Sequence, residues 1–426
     1  MLQTLKNAWK LVDLRKKILF TLFIIVIFRI GSHIPVPFVD VDALSSSTAT
    51  GGDFFSYLNI LTGGAMNYGA LFAMSVTPYI NASIIIQLLG VAIPALDRLR
   101  KEGEEGQKKL SMITRIVAMA IALLQGFGYF MMLSNSGYLN IGSSWFDLIF
   151  AGIVIVASFT AGSALIMWLG EQIDNRGVGN GISIILFAGI LSRAPQAFAA
   201  LWSYFFDYHM YIPVIAIILV FFAVIVFIVF MTDGERRIPV QYAKRVVGRK
   251  MYGGQSSHIP IKVNMSGVMP IIFASSILAL PSTILSFMSN TESTMYRLLS
   301  VMGYRSVFYA IVYLLLIIGF AYFYVQIQYN PIEMANNLRK NNGAIPGYRP
   351  GKPTSDFIAK ILSKITLVGA LFLGVIAVLP IIIGSVGGIN VSLGGTSILI
   401  VVGVALDTVN QLESQMLMRH YKGFLD

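Results

Sequence analysis

The chain has 426 residues and a formal net charge of +11, from 31 Lys and Arg against 20 Asp and Glu. Hydrophobic side chains make up 56% of it and charged ones only 12%. A soluble domain carries about 25% charged residues, so the composition excludes one and predicts a polytopic membrane protein; the absence of cysteine excludes disulfides, thiolate metal sites and thiol catalysis.

From the N-terminus, the polar segment 1–17 holds Lys6, Lys10, Arg15, Lys16 and Lys17 and leads into an apolar run over residues 18–34. The run continues past Arg29 with no small-x-small cleavage site, which predicts a retained first span. A shorter apolar stretch follows, with Phe54, Phe55, Tyr57, Leu58, Ile60 and Leu61. Asp53 is placed to cap a helix there, and Gly63 and Gly64 are placed to end it. At 1.5 Å per residue such a helix reaches only about 15 Å, half of a bilayer core of roughly 30 Å. A half-span cannot face lipid with its end groups unpaired, so it must lie within protein or in a water-filled cavity.

Apolar runs near 71–95, 112–133, 146–169, 181–201, 211–231, 266–288, 306–328, 361–383 and 395–412 bring the expected spans to ten. An even number puts both termini on one side. Lys and Arg crowd that side, in segment 1–17, in the loop with Arg98, Arg100 and Lys101, in the loop 233–263, and in the loop 330–358. The opposite side has only Arg193, Arg297 and Arg305. This bias predicts cytoplasmic termini.

Two alignments suggest an internal repeat. Pairing Pro78 with Pro270 brings Val76 onto Val268, Ile80 onto Ile272 and Ser83 onto Ser275; pairing Ser183 with Ser397 brings Leu186 onto Ile400. Both steps relate a span to the one five spans later, so the second half is expected to be inverted, with the shared site near the midplane. The matched residues Ile80, Ile272, Leu186 and Ile400 are bulky aliphatics. They fit an apolar pore constriction, and they also fit ordinary helix packing. Charge deep within the spans is nearly absent: Arg29 sits toward the outer end of the first and Asp407 lies within the tenth.

Catalytic patterns fail. The four His (His33, His209, His258, His420) lie in no H-E-x-x-H motif, Asp407 has no second span aspartate, and Gly347 to Lys352 is one residue short of a phosphate loop and runs into Pro353. Neither an enzyme nor a cofactor is expected, and any work that needs ATP must come from a partner.

The residues resemble the SecY family of protein-conducting channels. The most specific stretch is Gly69-Ala-Leu-Phe-Ala-Met-Ser-Val-Thr-Pro-Tyr-Ile-Asn-Ala-Ser-Ile-Ile-Ile-Gln-Leu-Leu89. Supporting stretches are Phe28-Arg-Ile-Gly-Ser-His-Ile-Pro35, Trp168-Leu-Gly-Glu-Gln172, Arg176-Gly-Val-Gly-Asn-Gly-Ile-Ser183, Gln255-Ser-Ser-His-Ile-Pro260, Phe273-Ala-Ser-Ser276 and Gly394-Gly-Thr-Ser397. The resemblance implies an all-α polytopic membrane protein of ten transmembrane helices. These would form two inverted five-helix halves, 1–205 and 206–426, around an hourglass pore. It implies a pore ring of Val76, Ile80, Leu186, Ile272 and Ile400, and a plug at 54–64 that includes Gly63 and Gly64. It also implies a lateral gate lined by Asn81, Ser83, Gln87, Asn264, Ser275 and Ser276, whose hydrogen bonds could cross between spans two and seven or merely hold two helices together. Arg236, Arg237, Arg249, Lys250 and Arg349 would dock the motor ATPase SecA or the ribosome. Further implied partners are the small membrane subunits SecE and SecG, precursors with signal sequences, and anionic lipids, at a bacterial plasma membrane. The competing reading is a secondary transporter with inverted repeats, which would need coupled ions and a polar midplane site. An intramembrane protease lacks any nucleophile constellation.

Overall fold

The computed structural model describes residues 6, 8–48, 62–142, 144–207, 209–242, 245–247, 250–252, 256–287, 306–387 and 395–422. The first helix, α1 (Val12–Gly31), carries Arg15, Lys16 and Lys17 at its start and Arg29 in its last turn. Helix α2 (Val41–Thr48) begins where the Asp40 carboxylate accepts hydrogen bonds from the Asp42 and Ala43 amides, both at 3.1 Å.

The expected span over 71–95 is shorter than its apolar run. Helix α3 (Thr77–Ala92) starts only at Thr77, and residues 69–76 are a chain of turns. After Ile93 the axis turns by 102° into α4 (Pro94–Lys101). Pro94 is the physical cause: it has no amide hydrogen and drives the residue before it out of the helical region, and Ile93 is extended at φ −105°.

Helices α5 (Glu104–Asn135), α6 (Trp145–Arg176), α7 (Gly181–Leu191), α8 (Ala194–Phe206) and α9 (Tyr211–Asp233) follow. After the strands described below come α10 (Met269–Phe287), α11 (Val307–Gln328), α12 (Pro331–Lys340), α13 (Lys352–Gly387) and α14 (Gly395–Lys422). Among the described residues, seven helices are long and apolar enough to cross a membrane, or eight if the bent pair α3 and α4 counts as one span.

An all-α chain is not what the structure shows. Strand β1 (Glu235–Tyr242) pairs antiparallel with β4 (Ser256–Lys262), placing Ile238 opposite Ile259. On its other side β1 pairs with β5 (Gly343–Ala344), and β2 (Arg245–Val247) pairs with β3 (Lys250–Tyr252). The span periodicity gave no sign of this. The strand signal is only a two-residue alternation, with Ile238 and Val240 buried between exposed neighbours.

The chain divides into two compact units. The first comprises Met1–Val214, Ala279–Tyr304 and Asn390–Asp426; the second comprises Ile215–Leu278 and Arg305–Ile389. In the first, α3 packs on α5, α5 on α6, α6 on α7, and α7 on the distant helix α14. Small residues permit the close approaches: Gly152 faces the Phe130 ring, and a side chain at Gly162 would collide with the Leu71 carbonyl. In the second unit α11 and α12 pack on α13. There Ile238, Val240, Ile261, Val325, Leu338, Ile345, Ile358 and Leu362 form one core joining strands to helix ends.

Candidate functional site

The first functional element is the irregular backbone that leads into α3. It is paired rather than loose. Leu71 N–H donates to Ile34 O at 2.9 Å, Val36 N–H to Gly69 O at 3.0 Å, and Ser75 N–H to Phe72 O at 2.9 Å. Phe72 stacks on Phe28 with ring centroids 6.0 Å apart, and Ser75 holds a left-handed φ of +49°. Non-helical backbone among membrane spans is tolerated only where protein buries it or a watery cavity receives it, and Phe72, Ala73, Ser75 and Val76 are all buried.

This segment ends at Val76, the residue that opens α3. Ile80, one turn on, is half-buried. Leu186 on α7 and Ile400 on α14 are both buried, and their two helices pack together in the first unit. Ile272 is half-buried on α10, in the part of that helix belonging to the second unit.

Of the expected plug residues, Phe54, Phe55, Tyr57, Leu58, Ile60 and Leu61 lie outside the described residues. Gly63 and Gly64 are described, and both are left-handed, at φ +67° and +89°. Glycine adopts this conformation without penalty. The Gly63 carbonyl accepts a hydrogen bond from Arg29 Nη1 at 2.8 Å, and the same guanidinium nitrogen donates to Ser192 Oγ at 3.1 Å. The Ser192 hydroxyl lies 2.7 Å from Gly189 O. Sequence reasoning noticed Arg29 as a charge within a span but gave it no role. Its partner is a backbone carbonyl, which no residue pattern announces.

The expected gate residues show two behaviours. Some are satisfied on their own helix: Gln87 Nε2 donates to Ser83 Oγ at 3.2 Å on α3, and Ser275 Oγ donates to Ile272 O at 2.9 Å on α10. Others are not: Asn81 Oδ1 and Asn264 Oδ1 are buried with no hydrogen-bond partner among the described residues. A buried acceptor left unpaired costs about 1–3 kcal/mol. Ser276 is half-buried.

The second element is basic. Arg236 and Arg237 lie exposed on β1, and Arg237 Nε meets Glu235 Oε1 at 2.6 Å. Arg249 lies outside the described residues, and Lys250 opens β3. Arg349 is exposed in the turn that precedes α13. That turn is shaped by Gly347 and Gly351 at φ +86° and +106°. It is held by Tyr348 stacked on Phe357 at 4.0 Å, and by Thr354 Oγ1 donating to the Arg349 carbonyl at 2.8 Å. Because β5 from the second loop pairs with β1 from the first, two loops far apart in sequence form one basic platform. Among the described residues, no three His, Asp or Glu side chains gather as a metal site.

A multi-span helical protein with a buried irregular segment leading into one helix, and with basic residues on a folded platform, falls in the class of membrane channels and transporters. The sequence profile of the SecY family matches residues 70–409. A Streptomyces scabiei protein named protein translocase subunit SecY is 43% identical over 442 residues, covering all of both chains. The Mycobacterium bovis protein of the same name is 43% identical over 446 residues, again covering all of both. The chain belongs to the SecY family. A solved structure described as that of a protein conducting channel superposes with a TM-score of 0.64 at 20% identity, covering 94% of this chain and 92% of that one. Sec61 in a canine ribosome-channel complex superposes at 0.60 and 18% identity, over 94% of this chain and 92% of its own. These two likenesses speak for the fold.

Proposed function

We propose that this chain is a passive protein-conducting channel, which translocates unfolded secretory polypeptides across the bacterial plasma membrane and releases transmembrane segments sideways into lipid. The observation that carries this reading is the buried, hydrogen-bonded, non-helical segment ending at Val76, in a chain that belongs to the SecY family. Ten spans in two inverted halves, 1–205 and 206–426, surround the pore, with both termini cytoplasmic. Val76, Ile80, Leu186, Ile272 and Ile400 form its apolar constriction, which closes without binding solute. The segment 54–64 plugs one funnel. Spans two and seven form the lateral gate.

Energy comes from SecA or from chain elongation on the ribosome, both docking on the basic platform through Arg236, Arg237, Arg249, Lys250 and Arg349. The likeness to Sec61 in a ribosome-channel complex supports the second partner. SecE and SecG complete the membrane complex, and anionic lipids face the cytoplasmic arginines and lysines. The scarcity of charge within the spans favours this reading over an ion-coupled transporter.

The test is reconstitution into vesicles with SecA, ATP and a secreted precursor. Protected precursor should appear only with all three, and protection without SecA and ATP sinks the motor-driven reading. For the gate, cysteines at Ser83 and Ser275, or within one turn of them, should form a disulfide that stops export until it is reduced. Unchanged export with the bridge in high yield places the gate elsewhere.

A further inference from the structure

The turn between α6 and α7 is held from three sides, all within the first unit. The Asp174 carboxylate, at the end of α6, accepts the Gly181 amide hydrogen at 2.7 Å. Asn180 Oδ1 accepts the Ser183 amide hydrogen at 3.0 Å. Together they satisfy two of the four amides that open α7 and have no partner within the helix. From α1, Thr21 Oγ1 accepts the Val178 amide hydrogen at 3.1 Å while donating to Lys17 O at 3.0 Å. The Thr21 hydroxyl thereby both donates and accepts, and the residue is buried.

Glycines allow the fit. Gly179 is left-handed at φ +82°, and a Cβ there would lie 2.6 Å from Ile184 and 3.2 Å from Thr408 Oγ1 on α14. A Cβ at Gly181 would strike the Gly170 carbonyl of α6. Thus one short turn is fitted against α1, α6 and α14 at once.

Leu186 sits five residues into α7, about 7.5 Å along its axis, and Ile400 sits eight residues before Thr408, about 12 Å along α14. Neither helix can shift or rotate at this end without disturbing the turn. We infer that the Asp174–Gly181 turn positions Leu186 and Ile400 as one body, and that Asp174, Asn180 and Thr21 are positioning residues for the pore seal. The inference rests on the reading of Leu186 and Ile400 as ring members.

The experiment uses the full channel complex in vesicles and reads small-ion leak, together with export of a precursor carrying a defective signal sequence. Each value is normalised to the amount of assembled channel. Asp174→Ala should raise both several-fold. Asp174→Asn, which keeps an acceptor oxygen for the Gly181 amide, should restore them towards wild type, a rescue that loss of fold would not produce. Ile400→Ser is the parallel arm and should leak regardless of the turn. If Ile400→Ser leaks and assembled Asp174→Ala does not, the turn has no positioning role. If Ile400→Ser is tight, the ring reading fails and takes the inference with it. Should Asp174→Ala assemble poorly, Asn180→Ala deletes one hydrogen bond and Thr21→Val deletes two, and both are read in the same way.

Discussion

Arg29 and Arg349 are the same residue type under opposite conditions. Arg29 ends α1 with its guanidinium on the Gly63 carbonyl and the Ser192 hydroxyl, whereas Arg349 stands exposed in a Gly-shaped turn that the Tyr348 and Phe357 rings hold from beneath. In the first region the backbone is held by the charge; in the second the charge is presented by the backbone. Within a membrane span no bulk water is at hand to satisfy a cation, so it is tied to carbonyls and hydroxyls of its own chain. At the surface water satisfies it, and the protein need only fix its location. A half-buried arginine tied to its own chain should therefore matter for integrity, and an exposed one for partners.

The largest expected effect tests the footing of the exposed region. Ile238 is buried in the core beneath β1, so Ile238→Ala should destabilise the platform by about 2–5 kcal/mol and disturb Arg236, Arg237 and Arg349 together. Denaturant unfolding of the purified protein measures the first effect, and SecA binding the second. Binding at full strength after a loss of that size would mean the arginines do not need the platform.

Next comes Arg29→Ala. It removes both hydrogen bonds and leaves the Gly63 carbonyl only the Ser192 hydroxyl, 3.3 Å away, for a loss of about 1–3 kcal/mol. Thermal unfolding in detergent is the check, and a midpoint equal to wild type would erase the contrast with Arg349.

Arg349→Glu should change stability by no more than about 0.5 kcal/mol, as expected for an exposed site, while SecA-driven export falls strongly. Normal export at normal channel levels would remove Arg349 from the docking surface. The smallest effect is expected from Glu235→Gln, which removes the charge of Arg237's partner while keeping an acceptor oxygen. Its stability cost is at most about 1 kcal/mol, screened further by salt. A larger loss would show that the pair supports β1 rather than decorating it.

Local rules made several elements legible. The Gly63–Gly64 pair reads as the place where a helix would end, and both residues are left-handed. Long apolar runs read as spans because no other backbone form satisfies its own polar groups in lipid. The late start of α3 was not legible. Residues 71–76 are as apolar as a helix, and what unwinds them is pairing to Ile34 and close packing against Gly31 and Gly162 from other parts of the chain.

The sequence by itself therefore determined the membrane class, most of the helices, the basic loops and the family, since each depends on hydrophobicity, charge or side chains within a few residues of one another. Only the tertiary structure decided that β5 joins β1 into one platform, that Arg29 reaches Gly63, and that Asp174, Thr21 and Thr408 converge on one turn. The reason is physical. Apart from the short reach from Asp174 to Gly181, these contacts bring together groups far apart in the chain, most of them through a backbone amide or carbonyl; every residue carries the same backbone groups, so the side-chain pattern holds no record of which ones will meet.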